Sequence, residues 1–264
     1  MLRQLRSDST KRNRALPELE RQKGEDNLRW GERAVADMGT GGLEDWTYLV
    51  LLGGSDTLSF RVRVAQSQLR RDMLPSFWSE VLLAKLKRND IARASAVHVP
   101  ILQPSAGPMA SSRNGIVERP LKDFADPDRW PNIAVIGLPV PQAQIVEKVE
   151  SLKRSRATID ALEHVLRWLG FAWGAGSTGN PLLEGIGLPS ACMLETACAA
   201  AGFDLTPGLE SRASCPEAIW VAALHWYGYY EKTTEGERTP LGRSCTPHRF
   251  PIDEGERPAK AAKR

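Results

Sequence analysis

The sequence predicts an α+β fold, because strand patterns cluster in the first half of the chain and helix patterns in the second. The apolar run WTYLVLLGG ends at two glycines, which is typical of a buried strand followed by a tight turn. Three more short apolar segments, near residues 77–84, 95–102 and 132–138, complete four predicted strands. We therefore expect a small antiparallel sheet packed against helices.

The first helix is predicted to begin at Ser55, since Leu58, Val62 and Ala65 recur at helical spacing after it. Two strand-like segments follow, FWSEVLLA and SAVHVPIL. The polar link between them, residues 85–90, has the composition of a hairpin turn. These two strands are therefore expected to pair antiparallel.

Three later helices have recognisable starts. Pro141 is favourable at a first helical turn and is followed by Ile145 and Val149 on one face. Ser190 is a typical N-cap for the segment ACMLETACAAAG, and the Pro-Glu pair after Cys215 indicates the start of the last helix. The fold class expected is thus a sheet followed by a helical second half.

Charge and composition divide the chain of 264 residues into three parts. Residues 1–42 and 233–264 are rich in charged residues, Gly and Pro, and we expect a flexible arm and a flexible tail around a domain at 43–232. With 35 basic and 32 acidic side chains the net charge is only +3, so a nucleic-acid partner is not expected.

Location and cofactors are predicted from what the sequence lacks. No apolar stretch reaches the ~18 residues of a membrane span, and the N-terminal residues have no apolar signal core, so we expect a cytoplasmic protein. The four cysteines form no C-x2-C pair. We predict reduced thiols, no metal site and no cofactor.

Cys192 is the strongest candidate for chemistry. If Ser190 caps its helix, Cys192 lies in the first turn, where free N–H groups and the helix dipole stabilise a thiolate. The alternative is that Cys192 is one small core residue among Ala191, Met193 and Ala197.

Three stretches carry a family resemblance: GGSDTLSFRVRVAQSQLRRDMLPSFWSEVLL, WPNIAVIGLPV and LPSACMLETACAAAGFDLTPGLESRASCPEAIW. Together they resemble the circularly permuted papain-like thiol hydrolases, which include lecithin:retinol acyltransferase and the YiiX-like proteins. The resemblance implies a papain-like sheet packed against a helix that starts at a nucleophile, here Cys192. It also implies a catalytic histidine after Trp78-Ser79, where this sequence has Glu80.

Two interpretations of that departure stay open. His98, on the next predicted strand, can replace the missing base, giving a site of Cys192 as nucleophile, His98 as base and Glu80 as the group that orients the imidazole. Alternatively, His98 is a satisfied strand residue and Glu80 pairs with Lys85 or Lys87. A carboxylate alone is a poor base for a thiol.

Two functions follow from these interpretations. In the first, the protein is a cysteine hydrolase or acyltransferase that acts on an amide, ester or thioester of a peptide, lipid or acyl substrate. In the second, it is a catalytically degenerate scaffold, an interaction subunit of a multicomponent bacterial system. Its protein partner would bind the Trp/Tyr-rich helices or the charged arm.

Overall fold

The computed structural model describes residues 18–40, 42–87, 90–103, 114–155, 161–175, 178–230 and 239–248. In this part of the chain an α+β fold is observed, with six strands in one antiparallel sheet and six α-helices. The predicted fold class is therefore confirmed at the level of an α+β protein with an antiparallel sheet.

The six strands follow the order β4-β3-β2-β1-β5-β6 across the sheet. Their bounds are β1 Thr47–Gly53, β2 Glu80–Lys87, β3 Asp90–His98, β4 Val117–Pro120, β5 Asn132–Leu138 and β6 Leu241–Cys245. The strands β1 and β5 are buried along their whole length and form the centre of the sheet with β2. Because helices cover both faces of β1 and β5, their sequences are continuous apolar runs without polar alternation.

The predicted hairpin is present, but both of its strands are shifted. The strands β2 and β3 pair antiparallel, with Leu83 opposite Val97 and Ala84 opposite Ala96. Residues 77–79 lie before β2, and β3 ends at His98 rather than continuing to residue 102. As a result, Glu80 begins one strand and His98 ends the next, at the same end of the sheet.

The helices are α1 Asn27–Met38, α2 Thr57–Ala65, α3 Gln142–Arg154, α4 Ala161–Trp173, α5 Pro189–Ala200 and α6 Pro216–Tyr230. Asp56, rather than Ser55, caps α2, because its carboxylate accepts the backbone N–H of Ser59. Pro141 precedes α3 as expected from the sequence.

The helices cover the sheet from both sides and create two cores. One face, which includes Leu49, Leu83 and Val97, packs against α2 to α6 in a first core. The other face, which includes Leu52, Leu82 and Ala96, packs against α1 and the short 3-10 helix Leu121–Phe124 in a second core. Alternation along each strand decides which core a side chain enters.

The predicted arm and tail are wrong where the structure describes them. Helix α1 lies within residues 1–42, and its Trp30 is fully buried in the second core. Strand β6 lies within residues 233–264 and pairs with β5, while Leu19 donates a backbone hydrogen bond to Ser244. Apolar side chains spaced four residues apart in α1 outweigh the charged composition around them. Residues 1–17 and 249–264 lie outside the described residues.

None of the helices in the described part of the chain has the length and apolar character needed to cross a lipid bilayer.

Candidate functional site

A cleft of about 280 Å³ opens at the end of the sheet where β2 begins and β3 ends. Glu80 and His98 both line it. The Nδ1 atom of His98 lies 3.5 Å from Oε2 of Glu80, beyond good hydrogen-bond geometry, and Oε1 of Glu80 accepts the backbone N–H of Val81. The structure therefore brings together two of the three predicted catalytic residues.

Arg119 donates hydrogen bonds to the other ring nitrogen of His98, Nε2. Its Nε and Nη2 atoms lie 3.1 and 3.0 Å from Nε2 of His98, and its guanidinium lies over the ring of Phe124. Since a guanidinium can only donate, Nε2 of His98 must be the acceptor and the neutral ring carries its hydrogen on Nδ1. A base would need that same Nε2 lone pair, which Arg119 already uses.

The predicted pairing of Glu80 with Lys85 is not observed. Lys85 on β2 instead donates to Glu118 on β4, across the intervening strand β3, at 3.2 Å. Strand alternation explains the difference: Glu80 lies on the same face as Leu82, whereas Lys85 points to the opposite face.

Cys192 lies inside a helix rather than at its first residue. Helix α5 begins at Pro189 with Leu188 as N-cap, so Cys192 is the fourth helical residue. Its backbone N–H already donates to the carbonyl of Leu188 at 2.9 Å. The predicted cap, Ser190, instead exchanges hydrogen bonds with the backbone of Val99. The free N–H groups of the helix start therefore precede Cys192.

The Cys192 thiol is fully buried and has backbone partners only. It donates to the carbonyl oxygens of Arg212 at 3.2 Å and Ser214 at 3.6 Å. Burial, and secondly the neighbouring Cys215, raise the pKa of Cys192 well above that of a free thiol. Burial likewise raises the pKa of Cys215 to about 12. These surroundings stabilise a neutral thiol, which is the opposite of what a nucleophile needs.

Cys192 is not part of the cleft that holds His98 and Glu80. The helix residues beside it, Ala191 and Met193, lie in the first core. Glu80 is paired with Leu52, a residue of the second core, and His98 contacts Phe124 of that core edge to face, at 5.5 Å between ring centroids. The three predicted residues therefore belong to two environments on opposite faces of the sheet.

Sequence reasoning missed the residues that supply most of the cleft's positive charge. Arg119 lies on the short edge strand β4, and Arg129 and Trp130 lie in the turn before β5. Arg119 and Arg129 belong to no motif or periodic pattern, and Trp130 is only the first residue of the stretch WPNIAVIGLPV. For Arg119 the only signal is the pairing of β4 with β3, which sets it opposite Ala96.

Among the described residues, no group of three or more His, Cys, Asp or Glu side chains could hold a metal ion. Comparison of the chain with family models, with curated proteins and with solved structures found no match. The resemblance to papain-like thiol hydrolases thus stays a prediction from the quoted stretches.

Proposed function

We propose that the protein is a non-catalytic interaction module, built on a scaffold similar to the circularly permuted papain-like proteins, in which Cys192 is a core thiol. One observation carries the proposal: the Cys192 thiol is buried, donates to two backbone carbonyls and lies apart from the cleft that contains His98. The cysteine hydrolase or acyltransferase function stays the competing prediction.

The chemistry of thiol nucleophiles supports this choice. Such a nucleophile needs a base within hydrogen-bond reach and access to its substrate. Cys192 donates only to carbonyl oxygens, which cannot take up its proton, and it is 0 % exposed. Both requirements would have to be met by a rearrangement of the backbone at residues 212–214.

The apolar surface of helix α6 supports a protein partner. A shallow groove of about 440 Å³ follows this helix, with Leu209, Val221 and Trp226 in its walls. Val221 is 43 % exposed although it lies in the middle of a helix whose other face is buried in the first core. Contiguous exposed apolar side chains are typical of surfaces that bind other proteins.

The test is the alkylation of Cys192 by iodoacetamide across pH 6 to 9, followed by peptide mass spectrometry, in the wild-type protein and in His98→Ala. We expect Cys192 to stay unlabelled in the folded protein at every pH, to react once guanidinium unfolds the chain, and to behave identically in both proteins. The unfolded sample is the control that the peptide can be labelled and detected.

The cysteine hydrolase or acyltransferase function predicts a different result in the same experiment. Fast labelling of Cys192 below pH 7 that disappears in His98→Ala would establish a thiolate–imidazolium pair. It would overturn the non-catalytic module and restore the hydrolase.

A further inference from the structure

The cleft beside His98 contains an excess of hydrogen-bond donors. His98 is 1 % exposed, and its Nδ1 atom has no hydrogen-bond partner in the described part of the chain. The indole Nε1 of Trp130, which lines the same cleft, is also buried without a partner. Buried donors without acceptors are rare in folded proteins, so two in one cleft indicate a missing acceptor.

Two guanidinium groups add to this excess. Arg119 uses two of its N–H groups on His98, which leaves three of the five that a guanidinium carries. The guanidinium of Arg129 lies over the ring of Trp130, 5.5 Å from its centroid, and forms no hydrogen bond or ion pair with another described residue, whereas the Arg129 backbone carbonyl accepts a hydrogen bond from Ser55. Planar guanidinium groups with free donors are suited to bind carboxylate and phosphate oxygens.

The carboxylates around the cleft are mostly engaged by the protein itself. Both oxygens of Asp56 accept hydrogen bonds from Ser59 at the start of α2. Glu80 accepts the N–H of Val81 and faces His98. Only Asp123 lines the cleft without such a partner among the described residues. The carboxylate oxygens left in the lining, those of Asp123 and Oε2 of Glu80, are therefore fewer than the free N–H groups of the two guanidinium groups and Trp130.

The remaining walls of the cleft are apolar. Leu58, Ile101 and Leu102 line it together with the aromatic rings of Phe124 and Trp130. Its volume of about 280 Å³ is at the lower limit of ordinary ligand pockets. A ligand of this size has room for one charged head and a short apolar body.

We propose that this cleft binds a small organic acid, with its oxyanion held by Arg119, Arg129 and the Trp130 N–H and its apolar body against Leu58 and Ile101. This site is distinct from Cys192, which does not line the cleft. Binding at this site goes beyond the proposed protein-interaction function and does not depend on the reactivity of the thiol, so alkylation and ligand binding can fail separately.

Isothermal titration calorimetry at low salt tests the proposal with three probes: hexanoate, acetate and hexylamine. We expect saturable binding of one hexanoate per chain, weaker binding of acetate, which lacks the apolar body, and no binding of hexylamine, which carries the wrong charge. Binding of hexylamine as tight as that of hexanoate, or no saturation with hexanoate, would overturn the proposal.

The hexanoate affinity of two variants tests whether binding occurs in this cleft, and a third variant is the control. Arg129→Gln is expected to weaken hexanoate binding at least tenfold, and Trp130→Phe, which keeps a ring but removes the N–H, by severalfold. Arg93→Gln removes an exposed arginine on β3, away from the cleft, and should leave the affinity unchanged. Circular dichroism verifies that each variant is folded. Equal weakening by Arg129→Gln and Arg93→Gln would mean unspecific attraction and would contradict the assignment.

Discussion

The hydroxyl of Ser190 bridges both backbone groups of Val99: it accepts the N–H and donates to the carbonyl, each at 3.0 Å. Val99 directly follows His98 at the end of β3. This one side chain therefore attaches the first turn of α5 to the strand end. Ser190 is the second residue of the helix, after Pro189, and its hydroxyl therefore serves this contact and not the N-cap.

Replacement of Trp30 tests whether α1 is part of the folded domain. The indole is fully buried, and its N–H donates to the carbonyl of Leu19 at 2.7 Å. We expect Trp30→Ala to lower the free energy of unfolding by about 3–5 kcal/mol. Trp173→Ala, at a site that is 67 % exposed, is the matched control and should stay within about 0.5 kcal/mol of the wild type in urea denaturation. Equal effects would mean that α1 does not contribute to the core.

The amide of Gln142 is expected to stabilise the end of β2. Its Oε1 accepts the N–H of Leu86 at 2.9 Å, and its Nε2 donates to the carbonyl of the same residue at 3.0 Å. Gln142→Ala leaves both buried groups without partners, which should cost about 1–3 kcal/mol. Gln144→Ala, on the exposed face of the same helix, should have almost no effect. Thermal unfolding followed by circular dichroism distinguishes the two variants.

A substitution at Gly187 tests the close packing around Cys192. A Cβ atom there would lie 2.1 Å from the Ser214 carbonyl oxygen and 2.7 Å from the Cys192 sulfur. We expect Gly187→Ala to lower the free energy of unfolding by about 3 kcal/mol, because backbone must move to admit the methyl group. Gly228→Ala, in helix α6 with no atom near the new Cβ, should instead stabilise by roughly 0.5–1 kcal/mol. A neutral result at Gly187 would contradict the described packing.

The stability of the protein should depend on pH through Glu195. This carboxyl is buried, and burial raises its pKa above the ordinary value of 4.5, despite hydrogen bonds from the Thr206 hydroxyl and N–H. Because the folded state then binds the proton more tightly than the unfolded state, this group destabilises the fold increasingly as pH rises above about 4.5. Below that pH the carboxyl is neutral in both states and the effect is absent.

Urea denaturation of Glu195→Gln at pH 4, 5.5 and 7 measures this contribution. The neutral amide can still accept the Thr206 N–H and donate to its hydroxyl, so the variant should gain stability relative to the wild type between pH 4 and pH 7. Glu184→Gln, at an exposed ion pair with Arg167, controls for a general change in charge. A difference between wild type and Glu195→Gln that does not change with pH would show that the carboxyl titrates alike in both states.

The central strands could be predicted because both of their faces are buried. β1 and β5 are continuous apolar runs, and their assignment needed no knowledge of the partner strands. Helix α1 is harder to predict, because the charged composition of residues 1–42 conceals the recurrence of Trp30, Ala34 and Met38 every four residues. Strand β6, LGRSC, has neither an apolar run nor clear alternation, and only its pairing with β5 makes it a strand.

The candidate site was only half predictable. Glu80 and His98 lie close together because they stand at the open end of the β2–β3 hairpin, which the local sequence predicts. Which face of the sheet they occupy depends on register, and a shift of one residue reverses it. The burial of Cys192 depends on the segment 212–214, which lies beyond the end of α5 and whose Arg212 and Ser214 carbonyl oxygens accept hydrogen bonds from the thiol. No local pattern encodes that contact.

The position of β6 at the edge of the sheet has a consequence for synthesis of the protein. The ribosome makes β5 long before β6, and all of α3 to α6 emerge in between. Until β6 arrives, the nascent chain presents the open, apolar edge of β5 to any strand nearby, including that of a neighbouring copy on the same messenger RNA. Protection of this edge by a chaperone during translation would therefore increase the yield of native protein.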